Sequence, residues 1–424
     1  MGRRDGKFRM HANVEYAAGR PTELLRPQFV AGAFMKILHI CESLIGGPAS
    51  YLEEVLPYQI QRFGADNVMV LAPADQRDSI ASVNCVVETY RRRGRDVRSI
   101  LALAFAIRAN IKRHNPDIVH LHSSFAGAIG RLIIRGIHSK ARVVYCAHCW
   151  AFDRPQQTIV TRLYAILERK LSHYADAIVN ISPHEGKLLR RSGISLGNTR
   201  LVVSGIRDLT PLPDAEALPP TGPMRLLFVG RFDQQKGLDL LLRDFTRLEP
   251  GRATLSLVGA KIVNNRDLTI PSDVKLLGWV PRETLPAMFA KFDAVVMPSR
   301  WEGMPLLALE VLRSGRLLIC SNHGVFPYFI KSGVNGVLTD INTSGFLDRA
   351  LTVLENADRS AMNAAARATY VTMFRGERMN YELVELYDSL VEEAPKAKMT
   401  PAVHLDQKNR EQVAGRSAVE KALR

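Results

Sequence analysis

The sequence predicts an α/β protein built from two domains, and three observations carry that reading. The 424 residues suffice for two such domains. Short apolar runs recur along the chain, each followed by a loop and then a helical pattern. A stretch from Leu209 to Pro223, holding Pro211, Pro213, Pro219, Pro220 and Pro223, has the composition of a linker and divides these runs into two series. Hydrophobic residues make up 46% and charged residues 23% of the chain, an ordinary globular balance that excludes general disorder.

Residues 1–34 are polar and irregular. They carry Arg3, Arg4, Lys7, Arg9, Arg20 and Arg26 without the continuous apolar core of a secretory signal. They read as a flexible extension, and the folded part, with a natural start, is expected at Met35. A first strand follows at Lys36–Cys41, then Gly46-Gly47, then a helix from Tyr51. Two adjacent glycines allow a tight turn that brings N–H groups to a phosphate, although this is not the dinucleotide G-x-G-x-x-G pattern. Further strands are expected at Val68–Leu71 and Ile118–His122. Between them Arg91-Arg92-Arg93-Gly94-Arg95 suits either a solvated loop or a contact with lipid phosphates or an anionic acceptor. The strand Arg142–His148 ends in a histidine. Ligands of open α/β sheets bind beyond the carboxyl ends of strands, so His120, His122 and His148 are all expected at the cleft mouth. A strand at Ala177–Ser182 and a turn around Ser204-Gly205 complete this half.

The second half opens with the strand at Met224–Val229, a loop with Arg231 and Lys236, and a helix from Leu238. Both cations can reach one pyrophosphate, the arginine as a fork and the lysine as a point charge. Strands are expected at Leu255–Gly259, Val274–Val280 and Ala294–Met297. Then comes Glu302-Gly303-Met304-Pro305-Leu306 and, inside the following helix, Glu310. Gly303 permits close backbone approach, and Pro305 is tolerated in a first helical turn. Free N–H groups and a helix dipole then converge on one spot, a ready phosphate site. Glu302 and Glu310 can face the same cleft, where carboxylates suit sugar or ribose hydroxyls. After a strand at Leu317–Ser321 the chain turns helical from about Ser344. Residues 394–424 read as a flexible tail or a short basic helix.

The stretch Glu302–Glu310, with Gly230-Arg231 and Lys236-Gly237 before it, resembles the signature of the retaining glycosyltransferase family 4, the glycosyl transferases group 1. The resemblance runs from about Lys36 to Leu390. It implies the GT-B arrangement, two Rossmann-like domains facing across a cleft. Residues 35–208 would bind the acceptor and 224–370 the nucleotide sugar, with a helix at 371–393 crossing back to the first domain. It further implies roles for single residues. Arg231, Lys236 and the helix start at Gly303, Met304, Pro305 and Leu306 would neutralise the leaving pyrophosphate. Gly46 and Gly47 would touch the donor phosphates, and backbone groups near Val280 would read the base. Glu310 would hold the ribose, Glu302 the donor sugar, and His148 would lie near the anomeric carbon. The chain departs from family habit at Ser204, where asparagine is common, and at Tyr328, where glutamate is expected. The second departure leaves the donor sugar open.

The function implied is a hexosyl-type transfer, with retention, from a nucleotide diphosphate sugar to a saccharide or lipid-linked acceptor, in cell-surface polysaccharide or glycolipid synthesis. With no Asp-x-Asp element and no cofactor motif, the reaction is expected to need neither metal nor cofactor. Cys146 and Cys149 lack a second ligand pair and read as buried thiols, while five scattered cysteines point to a reducing cytoplasm. The net charge of +15 implies an anionic partner. No apolar run reaches membrane-spanning length, since Ser99–Ile107 is ended by Arg108. A cytoplasmic body resting on an anionic membrane surface is expected. A nucleotide-sugar epimerase on the same fold and a basic nucleic-acid-binding protein are the alternatives; the latter lacks a module with stacking aromatics.

Overall fold

The computed structural model describes residues 35–153, 158–209, 222–260 and 268–392. The extension at 1–34, the body of the expected linker and the tail at 394–424 lie outside the described residues. The first domain runs β1 (Ile37–Cys41), α1 (Gly47–Phe63), β2 (Val68–Pro73), β3 (Val86–Tyr90), α2 (Val97–His114), β4 (Ile118–His122), α3 (Ser124–Gly136), β5 (Arg142–Cys146), α4 (Ile159–Leu171), β6 (Ala177–Asn180), α5 (Pro183–Arg191) and β7 (Thr199–Leu201). The second runs β8 (Met224–Val229), α6 (Leu238–Phe245), β9 (Ala253–Val258), β10 (Lys275–Gly278), α7 (Leu285–Phe289), β11 (Ala294–Met297), α8 (Leu306–Arg313), β12 (Leu317–Ser321), β13 (Val337–Thr339), α9 (Phe346–Glu355), α10 (Arg359–Met373) and α11 (Gly376–Glu392).

Each domain is one parallel sheet, ordered β3-β2-β1-β4-β5-β6-β7 in the first and β10-β9-β8-β11-β12-β13 in the second. The central strands are buried along their whole length, as strands covered by helices on both faces must be. The two faces of the first sheet carry separate cores. Leu38, Met69, Val119 and Val143 pack under α2 and α3, and Ile37, Val68, Ile118 and Val144 pack under α1 and α11.

The chain returns to the first domain through a backbone contact. The Ile206 N–H donates to the Phe374 carbonyl at 2.9 Å and the Gly376 N–H to the Ile206 carbonyl at 2.8 Å. A Cβ on Gly205 would stand 2.6 Å from the Arg375 carbonyl oxygen, so only glycine fits there. The crossover helix α11 begins at Gly376, later than the sequence suggested, because the buried Tyr370 still belongs to α10 and donates its hydroxyl to the Ile206 carbonyl at 2.8 Å. On the first domain, Asn380 donates to the Glu54 carbonyl at 3.0 Å and the Tyr387 hydroxyl meets His120 Nδ1 at 2.6 Å.

Candidate active site

In the second domain two loops are seated on each other through glycine. Gly237 opens α6 at φ 69°, and a Cβ there would strike the Pro298 carbonyl oxygen at 2.0 Å. The Gln235 carbonyl accepts from the Arg300 N–H at 2.8 Å, and Gln235 Nε2 donates to the Trp301 carbonyl at 3.2 Å. This seating carries Lys236 Nζ to within 2.6 Å of Glu302 Oε1. Arg231 shares the loop but turns to Gln235 Oε1 and Asp233 Oδ2, each at 3.0 Å. The two cations stand on one loop with different partners.

Helix α8 starts at Leu306. Pro305 sits before it with ψ 104°, an extended conformation, and its carbonyl accepts from the Ala308 N–H at 2.9 Å, so it precedes the first turn instead of lying in it. Met304 is buried and Leu306 half-buried. A Cβ on Gly303 would stand 2.1 Å from the His148 carbonyl oxygen and 3.2 Å from Glu185 Oε1. The close approach that demands glycine is therefore made to the first domain's own backbone.

Glu302 and Glu310, 7% and 4% exposed, do not share a partner. Glu310 accepts from Arg282 Nε at 2.5 Å. Arg282 also reaches across to α1, meeting Glu53 at 2.7 Å and Glu54 at 3.6 Å. Burial pushes the Glu310 carboxyl above its ordinary range, against the pull of Arg282. The sequence reading missed Arg282 and Glu53, because no local motif marks a pair of charges that meets only across two domains. Val280, two residues before Arg282, is half-buried against the core beside the strand end at Gly278. Gly46 holds φ 68° before α1, and both Gly46 and Gly47 are exposed with open space at their Cβ positions.

The histidines are not all at the cleft mouth as expected. Strand register sets His39 beside His120 and Cys41 beside His122, which buries His39, His120 and His122 completely. His39 and His122 form a chain behind His148, while His120 turns to Tyr387. Gln59 Oε1 lies 2.7 Å from His39 Nε2, His39 Nδ1 lies 2.9 Å from His122 Nε2, and His122 Nδ1 lies 2.8 Å from His148 Nε2. Burial lowers His39 to about 4 and His148 to about 3, and it also holds His120 and His122 well below the ordinary histidine range, so near neutral pH every ring is uncharged. A neutral imidazole donates from one nitrogen and accepts at the other. With Gln59 Oε1 as the terminal acceptor, each Nε2 in the chain carries the proton, and His148 Nδ1 is left with a lone pair. Among the described residues, that atom has no protein partner. His148 itself is held at φ 60°, with Tyr51 edge-on at 4.8 Å.

His39, His120 and His122 also bring ring nitrogens within 4.8 Å of one another, close enough for a metal. Both nitrogens of His39 and of His122 are already engaged in the chain, so a metal would have to break it. Cys146 and Cys149 are free thiols, and burial pushes both well up. Arg92 and Arg95 are already paired with an acid. They hold the buried Glu42 at 2.8 and 3.3 Å. Tyr328, where the resemblance led to an expected glutamate, receives Lys187 from the first domain at 4.9 Å over its ring. Glu185, unnoticed in the sequence, opens α5 beside Gly303. One oxygen accepts from the Ile181 N–H at 2.8 Å, the other has no partner, and burial pushes its pKa up to about 8.

Comparison with known proteins agrees with this architecture. Residues 45–208 match the family described as Glycosyltransferase Family 4, and residues 223–356 match Glycosyl transferases group 1. A Klebsiella pneumoniae protein described as an uncharacterized 41.2 kDa protein in the cps region is 28% identical over 84% of this chain and 100% of its own. The Escherichia coli UDP-Gal:alpha-D-GlcNAc-diphosphoundecaprenol alpha-1,3-galactosyltransferase is 23% identical over 70% of this chain and 80% of its own. Among solved structures, Anabaena HepE in complex with UDP and glucose superposes with a TM-score of 0.70 at 20% identity, covering 84% of this chain and 100% of that one. Sucrose-phosphate synthase from Thermosynechococcus elongatus gives 0.71 at 18% identity, covering 84% and 99%. With two parallel-sheet domains and both halves matched, the chain belongs to the GT-B glycosyltransferases.

Proposed function

We propose that the protein moves a hexose, with retention of anomeric configuration, from a nucleoside diphosphate sugar to a saccharide or lipid-linked acceptor in surface polysaccharide synthesis. The observation that carries this reading is the Lys236–Glu302 pair at 2.6 Å beside the start of α8, with Gly303 pressed against His148 of the opposite domain. The donor's pyrophosphate takes a place at Lys236, Arg231 and the first N–H groups of α8, where donors aimed at developing charge contribute most to rate. Glu310, steadied by Arg282, serves the ribose, and Glu302 serves the sugar hydroxyls. His148 Nδ1 accepts from a sugar hydroxyl near the anomeric carbon. The bond from that carbon to the phosphate oxygen breaks as the bond to the acceptor oxygen forms on the same face. The acceptor's proton passes to the departing phosphate oxygen.

The Escherichia coli relative uses a UDP sugar and a diphosphoundecaprenol-linked acceptor by its name, so a UDP hexose and a polyprenyl-diphosphate saccharide are the first pair to test. None of the described helices is long and apolar enough to cross a membrane. A lipid-linked acceptor therefore implies a body resting on the cytoplasmic face. The test is transfer from UDP hexoses with the fresh glycosidic bond examined by NMR. An α product from an α donor supports the reading; an inverted product, or release of free sugar alone, overturns it.

A further inference from the structure

Helices α2, α3 and α4 cover one face of the first sheet and contain a single acidic residue, Glu168. Glu168 is buried, with one oxygen 2.7 Å from Arg131 Nη2 and the other accepting from the Tyr145 hydroxyl at 3.0 Å. The guanidinium of Arg131 also stacks on the Tyr145 ring at 4.2 Å. This polar anchor fixes α4 in an unusual sense. Its inner side holds Thr161, Glu168 and Leu171, with Ala165 against the core, and its other aliphatic residues face out. Ile159 is 77% exposed and Leu163 58%, with Val160, Ile166 and Leu167 beside them. On α2, Val97, Leu101 and Phe105 form a second outward stripe at helical spacing, with Phe105 70% exposed. The charged residues on the outer side of α4 are all cations: Arg162, Arg169 and Lys170. At its carboxyl end lies an open cavity of about 810 Å³, lined by Arg169, Lys170, His173 and Arg190 and by no acid. The opposite face of the domain is different in charge, for α11 carries Glu377, Glu382, Glu385, Asp388 and Glu392.

We infer that this face, centred on α4, is the surface by which the protein lies on an anionic phospholipid bilayer, with the cavity taking lipid phosphates. An outward apolar stripe rimmed by cations is the pattern of a helix lying in the membrane interface. The long stems of Arg162 and Lys170 can follow the apolar residues while their charges meet head groups. Aliphatic side chains in this number do not suit a nucleic acid, whose interfaces are polar and use stacking aromatics. Helix α4 also starts beyond the carboxyl end of β5, the end at which His148 lies, so a lipid-linked acceptor held in that bilayer is delivered on the site's own side. The inference rests on the proposed lipid-linked acceptor for its purpose but not for its evidence.

The test is flotation of the full chain with vesicles of phosphatidylcholine alone or mixed with phosphatidylglycerol. Two double variants are compared: Leu163→Glu with Ile166→Glu, and Arg169→Glu with Lys170→Glu. Circular dichroism and the thermal shift produced by UDP report fold and donor site separately. The wild type is expected to float with the anionic vesicles and to release in high salt. The charge variant should lose about fivefold in affinity for each cation removed, and the apolar variant about tenfold or more. Equal flotation with neutral vesicles, none with either, or unchanged flotation of both variants overturns the assignment. So does a concentration-dependent dimer that Leu163→Glu with Ile166→Glu dissolves and vesicles do not. Flotation as expected without a UDP shift would leave this surface standing and remove the donor reading.

Discussion

Lys236 and Glu302 lie 66 residues apart in the chain and 2.6 Å apart in the fold. Each closes the other's charge at a largely buried position, in front of a helix N-terminus that favours an anion. A phosphate arriving there competes with Glu302 for Lys236. Lys236→Ala and Arg231→Ala should each lower transfer about tenfold or more, a loss of about 1.4 kcal/mol of transition-state stabilisation. Lys236→Ala also strands the Glu302 carboxylate, so its melting temperature should fall, and Glu302→Gln in the same chain should restore the melting temperature without restoring turnover. Rates near wild type in both single variants would remove the phosphate assignment.

The two glutamates should separate by assay. Glu310→Ala leaves Arg282 to Glu53 and Glu54 and removes the proposed ribose acceptor, so nucleoside diphosphate binding should weaken. Glu302→Ala should leave that binding largely intact and lower the transfer rate. Calorimetry with UDP beside a transfer assay reads both effects, and the reversed pattern would exchange the two roles.

The histidine chain predicts a distant effect on His148. His122→Asn interrupts the path from Gln59 to His148, so the tautomer of His148 is no longer set. Turnover should fall about tenfold or more while the KM for donor stays close to wild type. In the wild type, ¹⁵N NMR of the His148 ring should show the proton on Nε2; in His122→Asn the ring should populate both tautomers. A single unchanged tautomer in the variant would show that the chain does not position His148.

Stability should depend on pH in two opposed ways. His39 is lowered from 6.5 to about 4 by burial, so the folded chain binds fewer protons than the unfolded one between those values. Its contribution is present above pH 6.5 and is lost as pH falls through about 4, on the order of 3 kcal/mol. Glu185 is raised from 4.5 to about 8, so its contribution is full below pH 4.5 and is lost as pH rises through about 8. Denaturant midpoints against pH should show a shallower acid slope in His39→Gln, with the remainder carried by His120, His122 and His148, and a shallower alkaline slope in Glu185→Gln. Profiles parallel to the wild type would contradict the burial of these groups.

The strand–loop–helix units that carry the second domain's candidate residues were legible in the sequence, because they are local. Arg231, Lys236, Glu302 and Glu310 each belong to a strand–loop–helix unit whose spacing is written in consecutive residues. What was not legible depends on meetings between distant segments. Arg282 finds Glu53 only when the domains face each other, and His39 finds His122 only through the register of β1 against β4. Helix α4 shows a further limit. Periodicity tells which side of a helix is apolar, but the buried Arg131–Glu168 pair decides which side is inside. The basic run at Arg91–Arg95 shows the same limit: nothing nearby in sequence announces that Glu42 takes two of its arginines.

Chelation is a simple control. Transfer should persist in excess chelator, and a loss restored by magnesium or manganese would reject the metal-independent mechanism.

The central claim is that a nucleoside diphosphate sits on Lys236 at the start of α8, and calorimetric titration of UDP into the full chain tests it most directly. The account predicts saturable binding by the wild type, weakened about tenfold or more in Lys236→Ala and little changed in His148→Ala. Equal affinity of Lys236→Ala and wild type, or no binding of any nucleoside diphosphate by the wild type, would contradict it.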